Sequence, residues 1–106
     1  MIYELRIYHV AQGKMRALKE RFERVTLSLF EKHGVKVVSF WEDVESSENR
    51  LYYVVEYESV DQRNERFVGG FQKDPQWIAA KAKSEEQGTL VDRVDSYFMK
   101  NVPFFH

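Results

Sequence analysis

The first segment of the chain places a carboxylate and a guanidinium close together. Residues 1–10, MIYELRIYHV, alternate as a β-strand does, so Glu4 and Arg6 lie on one face. At a rise near 3.3 Å per residue they are about 6.6 Å apart along the strand. Two interpretations stay open. The pair belongs to an ion-pair network, internal or across a dimer, that lets both charges be buried, or it forms the polar floor of an apolar cavity, with Arg6 as an anion anchor and Glu4 as its orienter or a general base.

The three histidines offer little further chemistry. His33 precedes Gly34 at a predicted helix end, where its side chain could bond the open carbonyls; the alternative is a proton shuttle in a pocket. We expect His9 to be a strand-end surface residue and His106 to be disordered. Their spacing matches no common metal-ligand pattern, so no metal site is predicted.

Aromatic residues are unusually frequent, with six Tyr, eight Phe and two Trp making up 15% of the chain. Rings on strands and helices most often belong to the core. Alternatively, some of them wall a cavity for a flat or hydrophobic molecule, with tyrosine hydroxyls as its few fixed polar groups. The predicted ligand-binding residues are Arg6, Tyr8, Trp41, Tyr53, Tyr57 and Trp77.

The composition excludes several classes of protein. The formal net charge is −1, with basic and acidic residues interleaved, so no basic stripe is available for nucleic acid. The absence of cysteine excludes disulfides and thiolate chemistry and favours the cytoplasm. No apolar run is long enough to span a membrane. We find no nucleotide-binding loop, nucleophile elbow or flavin fingerprint, and no cofactor is predicted.

Two helical regions must position these residues. Residues 14–33 place apolar side chains at spacings of three and four, which predicts one amphipathic helix ended by Gly34. The apolar stripe comprises Met15, Leu18, Phe22, Val25 and Leu29. Ser59, with Gln62 three residues later, predicts a second helix from about Val60.

The second helix is interrupted before it ends. Gly69 and Gly70 break it, either as a lid hinge or because packing requires glycine. Asp74 and Pro75 then supply the N-cap and first position of a helix over residues 75–86.

Strands account for the rest of the chain. Residues 35–44 and 50–57 are rich in β-branched and aromatic side chains and flank a polar hairpin loop, ESSENR. Residues 89–99 form a last strand. The order predicts one α+β domain over residues 1–106, a ferredoxin-like βαββαβ fold with a four-stranded antiparallel sheet and both helices on one face.

Neither face of this sheet has a clean polar pattern. Strict alternation puts Leu51, Tyr53, Val55 and Tyr57 opposite Tyr52, Val54 and Glu56, and it puts Val35, Val37, Ser39 and Trp41 opposite Lys36, Val38, Phe40 and Glu42. Strands that are apolar on both sides are usually buried on both sides. We therefore expect a homodimer through the sheet face that the helices leave open. The C-terminal VPFFH should pack on its own domain or on the partner.

Four segments resemble the NIPSNAP domain family in order and spacing: MIYELRIYHVAQGKM, LFEKHGVKVVSFWEDV, VVEYES and KDPQWIAAKAKSE. The resemblance implies a homodimeric α/β barrel built from two ferredoxin-like sheets. Proteins similar in fold include cofactorless monooxygenases, haem-degrading enzymes, muconolactone isomerases and binding proteins, so the resemblance implies no single reaction. This chain departs from the family at Ile7 and His9, where members often carry Thr or Tyr.

Two functions follow from these features. The first is a cytoplasmic homodimer that binds a small hydrophobic or aromatic molecule in a cavity between helices and sheet. The alternative is a cofactor-independent monooxygenase or isomerase acting on a small aromatic or enolisable substrate, in which Arg6 holds an anionic oxygen and Glu4 or His33 moves a proton. The enzyme requires Glu4 or His33 to face an open cavity, whereas a binding protein can leave both fully paired.

Overall fold

A computed structural model describes residues 1–45 and 47–105 and confirms the predicted architecture. Its four strands are β1 (Ile2–Val10), β2 (Lys36–Glu42), β3 (Arg50–Tyr57) and β4 (Val91–Met99). They form one antiparallel sheet in the order β2-β3-β1-β4. This is the strand order of the ferredoxin-like α+β fold. The predicted hairpin loop lies between β2 and β3, although Ser46 is outside the described residues.

The first helical region is continuous. Helix α1 (Met15–Arg21) passes through a π-helical turn, Phe22–Thr26, into helix α2 (Leu27–Lys32). Its predicted apolar stripe faces the sheet, where Leu18, Phe22 and Leu29 are buried. Gly34 follows with φ of 70°, the left-handed conformation of a helix C-cap.

The second region begins and breaks where the sequence predicts. Helix α3 (Val60–Arg63) is capped by Ser59, whose hydroxyl accepts a hydrogen bond from the Gln62 N–H at 3.1 Å. It continues into a π-helical turn, Asn64–Val68, and stops at the glycine pair. A Cβ at Gly70 would lie 2.7 Å from the Arg66 carbonyl oxygen and 2.9 Å from Nδ1 of His33. Close packing therefore explains the glycine there without a lid.

Helix α4 (Pro75–Ser84) forms as a separate element after a 3-10 turn, Phe71–Lys73. Asp74 caps it by accepting a hydrogen bond from the Gln76 N–H at 2.8 Å, and Pro75 occupies the first helical position. The helix ends at Ser84, two residues earlier than expected.

The two sheet faces differ in what covers them. Glu4, Arg6 and Tyr8 share the helix-covered face with the buried side chains of β3, of which Tyr53 and Val55 are fully enclosed. Tyr53 is surrounded by aromatic rings, and the ring centroids of Phe22, Phe30 and Phe40 lie 5.0–6.0 Å from its own. The open face carries a band of neighbouring apolar side chains beside polar ones; the apolar residues are Tyr3, Leu5, Ile7, Trp41, Tyr52, Val54, Tyr97 and Met99.

The prediction that side chains alternate strictly between the two faces along β2 is wrong. Val37 pairs with Val55 but Ser39 pairs with Val54, so Val38 forms a β-bulge. After the bulge, Phe40 lies opposite Tyr53 on the helix-covered face, and Trp41 lies opposite Tyr52 on the open face. The inserted residue therefore reverses the predicted sides of Phe40 and Trp41.

The C-terminal segment does not pack on its own domain. Phe104 is 86% exposed and Phe105 is 73% exposed. Within the part of the chain that the structure describes, no helix has the length and apolarity needed to cross a membrane.

Candidate functional site

Glu4 is the buried centre of a charge network. Its carboxylate is 0% exposed and accepts hydrogen bonds from Arg6 Nη1 at 3.1 Å and Ser96 Oγ at 2.6 Å. Arg63 reaches it from α3 with two nitrogens, Nε at 3.0 Å and Nη2 at 2.9 Å. Such a bidentate contact is the geometry that arginine offers a carboxylate. The network ties α3 to β1 and β4 through one side chain.

This environment makes Glu4 a stable anion. Burial alone would raise the pKa of its carboxyl, but hydrogen bonds from Arg63 and Ser96 and the charges of Arg6 and Arg63 outweigh burial and lower the pKa. A carboxylate with a lowered pKa and four hydrogen-bond donors is a weak proton acceptor. Glu4 thus acts as an acceptor that holds two arginines in place.

Arg6 connects this network to two tyrosines. Its Nε donates to the Tyr53 hydroxyl at 2.8 Å, and the Tyr53 and Tyr8 hydroxyl oxygens are 2.9 Å apart. The guanidinium carbon lies 4.6 Å from the centroid of the Phe67 ring, which fixes its plane. Burial would lower the pKa of Arg6, but Tyr53, Tyr8 and Glu4 together raise it, so the guanidinium remains a cation. Burial, and to a smaller extent the neighbouring Tyr8, raises the pKa of Tyr53 well above its usual value, so this phenol is neutral.

A cleft of about 330 Å³ opens beside Arg6 and Tyr8, between the helical layer and the β4 edge of the sheet. Aromatic side chains of the helical layer, Phe67, Phe71 and Trp77, form part of its wall. Four basic and two acidic residues also line it, namely Arg6, Arg21, Lys81 and Arg93 against Glu85 and Asp92. The lining therefore carries charges of both signs: Glu85 pairs with both Arg21 and Lys81, and the guanidinium of Arg93 lies against His9 and Asp95.

Arg21 supports the Trp77 side of this cleft. Its guanidinium carbon lies 4.9 Å from a Trp77 ring centroid, and its Nη1 donates to Glu85 at 3.0 Å and to Ser84 at 3.1 Å. Among the described residues, nothing accepts a hydrogen bond from its buried Nε. The ring of Trp77 also lies 4.6 Å from that of Phe71, centroid to centroid. The indole therefore packs against both Arg21 and Phe71.

His33 lies outside this cleft. Its Nε2 donates to Asp74 Oδ2 at 2.7 Å, and Lys32 donates to the same oxygen at 2.9 Å. These hydrogen bonds, with that from the Gln76 backbone, hold the pKa of the Asp74 carboxyl well below its usual range. The expectation that His33 bonds the open helix carbonyls was wrong, because its imidazole instead joins the end of α2 to the N-cap of α4.

The other candidate residues are dispersed. Trp41 is half-exposed and lines a different, mostly apolar cleft of about 300 Å³ at the β2 edge, together with Phe22, Leu27 and Phe40. Tyr57 is buried in the core, and its hydroxyl has no hydrogen-bond partner among the described residues. Of the predicted ligand-binding residues, the structure brings together Arg6, Tyr8 and Trp77, with Tyr53 directly behind the first two.

The other two histidines are His9 and His106. His9 lies on the open face at 2.8 Å from Asp95 and 3.1 Å from Arg93, so it belongs to a polar cluster there. His106 is outside the described residues. The described part of the chain contains no group of three or more side chains placed to hold a metal ion.

Several residues of the network and cleft were absent from the sequence prediction. Arg63 and Ser96 are 59 and 92 positions from Glu4 in the chain. Arg21 belongs to a helix whose charged residues are mostly solvated, and Phe67 and Phe71 flank the glycine break. Periodicity gives no signal that these side chains converge, because their meeting depends on the packing of helices on the sheet.

The fold and the cleft define a ferredoxin-like α+β protein with a polar, aromatic-walled site at one sheet edge. A NIPSNAP family protein with unknown function from Agrobacterium tumefaciens matches it with a TM-score of 0.83 at 22% identity, covering 99% of this chain and 91% of that one. An uncharacterised NIPSNAP domain protein from Burkholderia xenovorans also gives 0.83, at 18% identity and with 100% and 99% coverage.

A more distant match is a putative antibiotic biosynthesis monooxygenase from Bordetella bronchiseptica, with a TM-score of 0.66, 16% identity, and coverage of 95% and 96%. At these identities the similarity shows the fold alone. The NIPSNAP family model matches residues 3–106, so the chain belongs to the NIPSNAP family. No curated protein matches it.

Proposed function

We propose that this NIPSNAP protein is a homodimer that binds a small hydrophobic or aromatic molecule in the cleft beside Arg6. One observation carries the proposal: three residues predicted as ligand contacts, Arg6, Tyr8 and Trp77, line one cleft between helices and sheet. Its volume of about 330 Å³ is at the lower end of the range of about 300–1,000 Å³ for ligand pockets. Fixed aromatic walls and a few oriented polar groups are what such a ligand requires.

The positions of the proton-transfer candidates support binding over the monooxygenase or isomerase alternative. That alternative requires Glu4 or His33 to face an open cavity. Glu4 is saturated with hydrogen bonds from Arg6, Arg63 and Ser96, and His33 is bonded to Asp74. Neither residue lines the cleft beside Arg6. The monooxygenase named among the structural matches supports a shared fold and no shared reaction.

The ligand proposal is tested with nitrobenzene, a neutral aromatic quencher of tryptophan fluorescence. The chain has two tryptophans, so Trp41→Phe leaves Trp77 as the only fluorophore and Trp77→Phe leaves Trp41. We expect saturable quenching in the Trp41→Phe protein and linear, collisional quenching in the Trp77→Phe protein. Linear quenching in both proteins, with nitrobenzene and with an aromatic anion of the same size, would overturn the proposal.

Two features support the dimer. The open sheet face carries a band of neighbouring apolar side chains, of which Trp41, Tyr97 and Met99 are 39–55% exposed in a single chain. Contiguous exposed apolar surface of this kind marks an interaction site. The exposed C-terminal phenylalanines are a second apolar group that a partner would cover. A cytoplasmic location remains a prediction from the cysteine-free sequence.

The dimer proposal is tested by sedimentation velocity at micromolar protein. We expect a dimer for the unmodified chain and a monomer for Ile7→Asp, which places a charge on the open face of β1. The matched control is Ile78→Asp, because Ile78 is an exposed isoleucine on α4, away from that face. A monomeric unmodified protein, or a dimer that tolerates Ile7→Asp, would overturn the proposal.

A further inference from the structure

The hydrogen bonds behind the cleft have a defined direction. Arg6 Nε–H can only donate, so the Tyr53 oxygen accepts at 2.8 Å. Tyr53 is 0% exposed, and the acceptor present for its own proton is the Tyr8 oxygen at 2.9 Å. If Tyr8 donated to Tyr53 instead, the buried Tyr53 proton would have no acceptor among the described residues, a costly arrangement. Tyr53 therefore donates to Tyr8.

This direction leaves the Tyr8 proton available. Tyr8 is only partly buried and lines the cleft, while Tyr53 does not. The other described hydrogen bonds give the Tyr8 hydroxyl no acceptor for its proton. Because each donor in a chain of hydrogen bonds polarises the next, the Arg6 cation strengthens Tyr8 as a donor through Tyr53. The chain runs from Arg6 to Tyr53 to Tyr8 and ends in the cleft.

We propose that the Tyr8 hydroxyl determines ligand specificity by donating a hydrogen bond to an anionic oxygen carried by an aromatic ligand, as in a phenolate. This inference rests on the proposed function, since it names the chemical class that the cleft selects. Behind the cleft two arginines, Arg6 and Arg63, share the single carboxylate of Glu4, and this excess positive charge favours an anion; Trp77 lines the cleft and provides a flat surface for its ring. A neutral aromatic molecule of the same size fits the same space, but it has no anionic oxygen to accept the Tyr8 hydrogen bond and no negative charge to be attracted.

The test compares 4-nitrophenol, whose phenolate has its own visible absorption, with nitrobenzene, which has no ionisable oxygen. We expect 4-nitrophenol to bind at least tenfold more tightly and to be more ionised when bound than when free at the same pH. Tyr8→Phe should weaken 4-nitrophenol binding by about tenfold to a hundredfold, the range for a hydrogen bond to a charged group, and should reduce its ionisation in the complex. Nitrobenzene affinity should change little.

Two further variants separate direct donation from a loss of structure. Tyr53→Phe keeps the Tyr8 hydroxyl but cuts its connection to Arg6, so its effect on probe ionisation should be smaller than that of Tyr8→Phe. Tyr97→Phe, on the open face and outside the cleft, should change the binding of neither probe. Thermal unfolding of each variant, with its nitrobenzene affinity, reports whether the cleft is intact.

The outcomes distinguish the two proposals. If neither probe binds saturably, the proposed function and this inference are both overturned. If both probes bind with equal affinity and 4-nitrophenol is not more ionised in the complex, the cleft binds aromatic molecules but the specificity inference is wrong. If 4-nitrophenol ionises on binding and Tyr8→Phe leaves that ionisation unchanged, Tyr8 is not the donor.

Discussion

Replacing Glu4 by glutamine tests the buried charge network without changing its volume. The carboxylate accepts four hydrogen bonds from the side chains of Arg6, Arg63 and Ser96. A glutamine has one carboxamide oxygen, and its NH₂ group would face arginine N–H groups, so at least one guanidinium loses its partner. Removing one partner of a buried ion pair costs about 3–5 kcal/mol.

The two arginines keep some solvent contact, with side chains 10% and 16% exposed for Arg6 and Arg63, so we expect the lower end of that range. A loss of about 3 kcal/mol corresponds to a decrease in the melting temperature of about 12 °C or more for a domain of this size. Urea denaturation at a fixed protein concentration measures the free energy of unfolding directly.

The matched control is Glu56→Gln on the neighbouring strand. Glu56 pairs with Lys36 at 3.1 Å, but the lysine side chain is largely exposed, and such surface ion pairs contribute about 0–1 kcal/mol. Both substitutions remove one negative charge from a strand of the same sheet. If Glu4→Gln is no more destabilising than Glu56→Gln, the network contributes no more than a surface pair and our account of Glu4 is wrong.

Three other changes have expected outcomes. The pKa of Glu4 is lower in the folded than in the unfolded protein, so ionised Glu4 stabilises the fold fully above the unfolded value of about 4.3. This stabilisation is lost as the pH falls through the folded pKa. The free energy of unfolding should therefore change less with pH in the acid range for Glu4→Gln than for the unmodified protein. Gly70→Ala should destabilise the protein by about 1–3 kcal/mol in urea, since its methyl group meets the Arg66 carbonyl, and an unchanged midpoint would contradict that packing. Changing Phe104 and Phe105 together to serine should weaken the dimer at least tenfold in sedimentation experiments while leaving the far-ultraviolet circular dichroism spectrum unchanged; an equally tight dimer would show that the partner does not cover these rings.

Local sequence signals predicted the fold where the physics is local. The capping residues Ser59 and Asp74 and the cap glycine Gly34 act within a few positions of themselves, so they marked helix ends correctly. The β-bulge at Val38 was missed because nothing in the strand distinguishes it from its neighbours. Its position depends on pairing with β3, and that pairing decides which side of the sheet Trp41 occupies.

The candidate site was predictable only as far as single strands allow. Alternation marked Glu4 and Arg6 as charges on a face that needed cover, but it could not choose between an ion-pair network and a cavity floor. In the structure, the network interpretation describes Glu4 completely, whereas both interpretations apply to Arg6. Glu4 belongs wholly to the network, because Arg63 and Ser96 complete its shell from distant parts of the chain. Arg6 donates hydrogen bonds from Nη1 to Glu4 and from Nε to Tyr53, and it also lines the cleft. The network therefore holds this cation in place at the candidate ligand site.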